Sequence, residues 1–424
     1  MLILKISGKI GNVKLNLSKH KESENMGDNY LPVLLSGKEL EERLTILPEY
    51  KAEERLLPAQ ERLALLDRLY EIYVPTAMSY EIYSKLYVAL SRSLNKKMSK
   101  KAVLQRNENH KAIIRNKSNG LIGGADSILI TGTAGIGKSS AIDNAVRLLA
   151  DNIIETDITK IIPVLIVQCP FDCSIKSLLI EIIKKVDTLL DMDYSTFVHT
   201  KGHTTDVLIG IVSQVALNHI GVLIIDEIQN VVKSKHGTNL IGALTQLINN
   251  SGTSIVMVGT PESRNFFEQE EFFARRALGM NYNGKAYNEE FINLVGTVAG
   301  YNYTRHKAIF DEKTFAWIFE HTKGLPSNVI ALLHDSQEIS IMNGKESLDI
   351  ETLSTAYKER MGLLHLYIQN DKGKKTITKN RAKVRNAGGF VSKECNQFSF
   401  AELSRKHKDD IVTALKDYIE VVEL

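Results

Sequence analysis

Gly132-Thr133-Ala134-Gly135-Ile136-Gly137-Lys138-Ser139 satisfies the pattern G-x-x-x-x-G-K-[ST] without a mismatch. Such a loop does one kind of chemistry. Its glycines let the backbone wrap closely around phosphate, and its amides, together with the start of a following helix, present positive potential to an anion. Lys138 is then placed for the β- and γ-phosphates of ATP and the Ser139 hydroxyl for Mg2+, with Ser140 on the adjoining turn. A second constellation complements the first. Val222-Leu223-Ile224-Ile225 leads into Asp226-Glu227, so a buried strand delivers two carboxylates at its C-terminal end. Asp226 is expected in the magnesium shell, and Glu227 is expected to orient and deprotonate the attacking water. Thr260, after Gly259 at the end of the next strand, is the candidate sensor of the γ-phosphate. The bland reading of each, a glycine turn, two solvated acids or a threonine at a strand end, is weakened when all lie in one chain in the right order.

These residues need a sheet to gather them. SILITG (127–132), IIPVLIVQC (161–169), GVLIID (221–226) and TSIVMVGT (253–260) read as strands, and helical patterns alternate with them at 138–150, 174–190, 204–219 and 239–250. Alternation of this sort predicts an α/β fold, a P-loop NTPase core whose mostly parallel sheet carries helices on both faces. The expected division is an N-terminal accessory segment (1–50), a helical and basic extension (51–118), the nucleotide-binding core (119–287), a helical lid (288–365) and a basic tail with a terminal helix (366–424). Within the extension, 51–74 reads as one amphipathic helix, with Leu63, Leu66, Leu69 or Tyr70, and Tyr73 on a stripe.

The 424 residues are more than one core usually accommodates. A hydrophobic share of 43%, a charged share of 24% and a net charge of +3 fit a soluble globular protein. Three cysteines are too few for a disulfide framework, and no apolar run reaches the roughly 20 residues a membrane span needs. A soluble, cytoplasmic protein with no membrane partner is the expectation. Cys169 and Cys173 with His199 and His203 lack the spacing of a zinc knuckle. Tyr80, Tyr83 and Tyr87 read as packing residues. The basic run from Arg92 to Lys117 is either a solvated surface or a polyanion contact. In the tail, Ile411, Leu415, Tyr418 and Ile419 make an apolar stripe that suits a partner's groove or the chain's own lid.

Beyond the generic loop, several runs carry a family likeness. QCPFDCSIKSLLIEIIKKVD (168–187), NHIGVLIIDEIQNV (218–231), LTQLINNSGTSIVMVGTPE (244–262) and FFARRALG (272–279) resemble segments of the TnsC/TniB family of AAA+ transposon target-selection ATPases, which includes relatives in CRISPR-associated transposons. The likeness covers roughly residues 60–340. It implies an ATP-hydrolysing regulator of DNA transposition that oligomerises as a ring or helical filament on double-stranded DNA. Such a protein links a target-site selector protein to the transposase subunits, and hydrolysis allows disassembly. In AAA+ proteins, arginines at the positions of Arg275 and Arg276 often reach a neighbouring subunit's ATP; the alternative here is a surface ion pair with Glu268, Glu270 or Glu271. Lys176, Lys201 and Thr204, near helix N-termini, are the candidate phosphate contacts to DNA. One departure is that Gly324-Leu325-Pro326 is followed by Ser327 and Asn328, with no lid arginine. A replication-initiator or clamp-loader-like ATPase and a non-hydrolysing, ATP-switched scaffold are the competing readings.

Overall fold

The computed structural model describes residues 30–99, 102, 127–150, 152–156, 159–172, 174–199, 204–230, 237–264, 277–282, 284 and 286–362. They fall into two compact units.

The first unit spans residues up to 46 and 73–284. Its centre is a six-stranded sheet: β1 Ser127–Gly132, β2 Ile154–Glu155, β3 Lys160–Gln168, β4 Ile220–Asp226, β5 Ser254–Gly259 and β6 Ala277–Tyr282, in the order β2-β3-β4-β5-β1-β6. All pairings are parallel except that of the short β2 with β3. This is the α/β P-loop core expected from the alternation. Its helices are α1 Gly37–Leu44, α3 Ala77–Met98, α4 Lys138–Leu149, α5 Ile175–Leu190, α6 Tyr194–His199, α7 Thr205–His219 and α8 Gly237–Ser251; α2, Ala59–Leu65, belongs to the other unit. Side chains alternate across a strand, so each strand feeds two cores. Leu129, Leu165, Val167, Leu223, Ile225, Ile255 and Met257 point into one cluster with apolar residues of α5, α7 and α8. Ser254, one residue out of phase, donates to the Ala89 carbonyl of α3 at 3.1 Å, which places α3 on the opposite face. In the last turn of α3, Lys97 is fully buried: its ammonium donates to the Ala216 and Leu217 carbonyls at the end of α7, at 2.7 and 3.2 Å, and to Thr253 Oγ1 at 3.0 Å. Tyr83 is buried on the same helix, as expected of a packing residue.

The second unit comprises 47–72 and the residues from 285 on. Its helices are α2 Ala59–Leu65, α9 Glu289–Gly300, α10 Glu312–Thr322, α11 Pro326–Met342 and α12 Ile350–Arg360. The single helix expected over 51–74 is instead three short pieces, with 3-10 turns at Ala52–Leu56 and Leu66–Glu71 around α2. Pro58 lacks an N–H and fixes the N-cap of α2, so no helix runs through it. A 3-10 helix repeats every three residues, and Leu66, Leu69 and Ile72 are buried at that spacing while Tyr70 stays exposed. Arg62 anchors this segment. It is 1% exposed, pairs bidentately with Glu346 at 2.7 and 2.6 Å, and donates to the Leu57 and Tyr303 carbonyls. The turn Gly324-Leu325-Pro326 starts α11, and Asn328 donates its side-chain amide to the Thr322 carbonyl.

Among the described residues no helix is long and apolar enough to cross a membrane. The expected basic run beyond residue 102 and the tail at 366–424 lie outside the described residues, as does the N-terminal segment before Tyr30.

Candidate active site

Phosphate-binding residues occupy the connection from β1 to α4. Gly132 ends β1 where the neighbouring strand crowds it: a Cβ there would lie 2.5 Å from the Tyr282 carbonyl oxygen of β6. That same oxygen accepts the Thr133 N–H at 3.1 Å, so β6 clamps the start of the loop. Ile136 is buried and closes a turn by donating its N–H to the Thr133 carbonyl. Ala134, Gly135 and Gly137 complete the curve into α4, whose first residue is Lys138. The unpaired amides at the start of that helix and its dipole favour an anion.

Lys138 Nζ donates to the Gly132 and Thr133 carbonyls at 2.7 and 3.2 Å. Partial burial pulls the ammonium below its ordinary pKa, while Asp226 and then Glu227 oppose that pull. Parallel pairing of β1, β5 and β4 brings their C-terminal ends to one edge. There Ser139 donates its hydroxyl to Asp226 Oδ2 at 3.4 Å. Two oxygens on one octahedral Mg2+ are about 2.9 Å apart when adjacent and about 4.2 Å when opposite, so the pair fits the span of such an ion. Asp226 Oδ1 accepts the Glu227 N–H at 2.8 Å. Glu227 itself is exposed and takes a left-handed backbone (φ 58), which turns the chain sharply after the strand. Thr260 follows β5, and its N–H donates to Gln229 Oε1 at 3.3 Å.

Thus Lys138, Ser139, Asp226, Glu227 and Thr260 share one sheet edge, the place where parallel α/β sheets hold ligands. Ser140 is exposed on the first turn of α4, and its carbonyl accepts from the Asn144 side chain at 2.9 Å. Lys176 is exposed in the first turn of α5 and Thr204 caps α7; each sits at its own helix N-terminus. Lys201, Arg275 and Arg276 lie outside the described residues, and so do Cys173 and His203 of the zinc set.

Three contributors escaped the sequence reading. Asp143 stands one helical turn beyond Ser139, and its carboxyl is pushed up by burial first and by the Asp226 charge second. Its i+4 spacing from Ser139 was the available signal. Tyr282 donates its hydroxyl to Glu81 of α3 at 2.7 Å, which ties the clamp on Thr133 to that helix. Gln229 donates to the Glu227 carboxylate and lay in plain view two residues after it.

No curated protein matches the chain. Among solved structures, likenesses include the Aeropyrum pernix ORC2 protein in ADPNP–ADP complexes (13% identity over 61% of this chain and 66% of that one, TM-score 0.39). They also include the Aeropyrum pernix ORC1 protein in complex with DNA (13% identity, 76% of this chain and 84% of that one, TM-score 0.41). Drosophila ORC bound to DNA is a third (11% identity, 87% and 91%, TM-score 0.43). This chain spans slightly less than two thirds of the ORC2 protein, and likenesses this loose carry no functional weight. The sequence match is local and better aimed: residues 121–267 match the family described as AAA domain. That stretch contains the phosphate loop, the β4 carboxylates and Thr260. Over residues 121–267 the chain is thus similar to an AAA domain, and that stretch lies on the P-loop core.

Proposed function

We propose that the chain is an AAA+ ATPase that assembles on double-stranded DNA and regulates transposition, linking a target-site selector to the transposase and using hydrolysis to disassemble. The observation that carries the ATPase part is the meeting of Ser139 with Asp226 beside Lys138 and Glu227. In this reading Lys138 binds the terminal phosphates. Ser139 and Asp226 hold Mg2+, which supplies charge neutralisation on the phosphates. Glu227 takes the proton of the attacking water, and Thr260 helps place that water. Arg275 or Arg276 reaches the ATP of an adjoining subunit.

The DNA and transposition part is supported by the TnsC/TniB-like runs at 168–187 and 218–231. Lys176, Lys201 and Thr204 are the proposed phosphate contacts, joined to charge elsewhere on each subunit. Such binding reads little sequence and is dominated by counterion release. Affinity for duplex DNA should fall by about 0.9 log unit per neutralised phosphate for each decade of salt. Titration of a labelled random-sequence duplex over a range of KCl checks this. Affinity that ignores salt, or a strong preference for one base sequence, would contradict it.

Electron microscopy of the full chain with ATP and duplex DNA tests the assembly directly. The expected result is rings or filaments around DNA that depend on ATP. Glu227→Gln should keep ATP binding, lower turnover by at least about 100-fold, the scale of losing general-base catalysis, and leave assemblies that persist after dilution. Turnover at the parent rate in that variant would remove Glu227 from the mechanism. Closed rings that load at a replication origin or onto a sliding clamp would favour the initiator or clamp-loader reading. Assemblies indifferent to hydrolysis would favour the scaffold.

A further inference from the structure

The segment after β4 is pinned on both flanks. Ile228 donates its N–H to the Val258 carbonyl of β5 at 2.9 Å, and Asn230 donates its side-chain amide to the Cys169 carbonyl beyond β3 at 3.1 Å. Between those anchors Gln229 reaches two groups at once. Its Oε1 accepts the Thr260 N–H, and its Nε2 donates to Glu227 Oε2. The orientation of the amide is not arbitrary. A backbone N–H can only donate, so the amide oxygen must face Thr260 and the NH2 must face the carboxylate, which can only accept while ionised. Space for this arrangement is built into β5. At Gly259 a Cβ would lie 2.8 Å from Gln229 Oε1, 2.8 Å from Ile228 Cγ2 and 2.9 Å from Ser263 Oγ. The glycine thus lets the amide lie flat against the strand end.

We infer that Gln229 is a positioning residue for hydrolysis: it holds the Glu227 carboxylate at a fixed place relative to the end of β5, so that base and γ-phosphate sensor share one frame. Glu227 needs such a hold. It is exposed, it follows a left-handed backbone turn, and its side chain has three torsions to fix. One carboxylate oxygen is taken by Gln229, which leaves Oε1 for the water. The inference rests on the ATPase reading above and adds to it the residue that aims the base. A displacement of about 1 Å in a reacting group can cost about 100-fold in rate. Losing one tether on a flexible carboxylate should cost less, on the order of tenfold.

The test uses the full chain and measures steady-state phosphate release, with binding of a fluorescent ATP analogue and thermal melting alongside. Gln229→Ala and Gln229→Leu, the latter keeping bulk without the amide, should lower kcat about tenfold or more. KM, analogue affinity and melting should stay within about twofold or a degree or two of the parent, because the amide touches neither phosphate nor core. The double variant Glu227→Gln with Gln229→Leu should turn over no more slowly than Glu227→Gln alone, since a tether has nothing left to aim. Gly259→Ala should reproduce the kcat loss by pushing the amide away. An unchanged or raised kcat in Gln229→Leu, a loss seen in KM instead, or additive losses in the double variant would each overturn the assignment while leaving the ATPase intact. No turnover by the parent chain under any condition would remove the ATPase reading and this assignment together, so the two failures are told apart by the parent alone.

Discussion

Lys138→Ala abolishes ATP binding: in a titration with a fluorescent analogue, affinity should drop by at least about 100-fold. The reasoning starts from the two phosphates that one ammonium serves. A hydrogen bond to a charged group contributes about 1.5–3 kcal/mol, so two lost contacts amount to about 3–6 kcal/mol, or at least two decades in Kd. Alanine at 138 keeps the first turn of α4, because it is a good helix former and Lys138 is not the cap. The loop fold should survive on its backbone clamps, from Thr133 to Tyr282 and from Ile136 to Thr133, although the ammonium's own bonds to the Gly132 and Thr133 carbonyls are lost. Melting without nucleotide should therefore fall modestly, while the rise in melting temperature that ATP gives the parent should vanish. If DNA assembly requires ATP, it should vanish as well. Retained analogue binding in this variant would mean that the loop holds phosphate by its amides alone.

Arg62→Ala should be the most damaging single truncation in the second unit, lowering its stability by about 3–5 kcal/mol, the scale of breaking a buried ion pair by removing one partner. Glu346 would lose both short bonds and keep Arg305, which approaches at 3.8 Å and is largely exposed. The carbonyls of Leu57 and Tyr303 would lose their side-chain donor too. Chemical denaturation followed by a probe in the second unit measures the effect. A pH dependence follows from the same contact. The Arg62 hydrogen bond, first among its causes, holds the Glu346 carboxyl below its ordinary value of 4.5. A carboxylate with a depressed folded pKa stabilises the fold above the unfolded pKa, and that contribution is lost as pH falls through the folded one. The parent should lose stability from about pH 4.5 downward through this pair, and Arg62→Ala should show a shallower acid limb.

How much of this was legible in the sequence depended on how local the signal was. The phosphate loop, the Asp226-Glu227 pair and the second unit's α9 to α12 were readable because a fixed spacing or a helical period within one segment determines them. Strand β6 was not. ALGMNY is short and holds a glycine, and it is a strand because β1, some 150 residues earlier, pairs with it throughout. The segment 51–74 misled for a related reason: spacings of three and four serve an α-helix and a 3-10 turn almost equally, and Pro58 decided between them. Asp226 and Glu227 could be named from their strand, but Gln229 could not be given a role. Its second partner, the Thr260 N–H, comes from a strand that only the folded sheet sets beside it.

Lys97 turns the first unit into its own reporter. An amine-reactive reagent needs an accessible side chain that can shed a proton to give the neutral amine, and this one is sealed beneath α7 with its donors on Ala216, Leu217 and Thr253. Peeling back the end of α3 by a turn would take the ammonium away from the Ala216 and Leu217 carbonyls, so partial fraying there is costly. Acylation of Lys97 should accordingly lag far behind that of surface lysines such as Lys176 and proceed at the rate at which the whole sheet opens. A ligand that binds only the closed sheet edge should slow that labelling by a factor of about one plus the ratio of free ligand concentration to Kd, which gives a clock for nucleotide occupancy that requires no turnover.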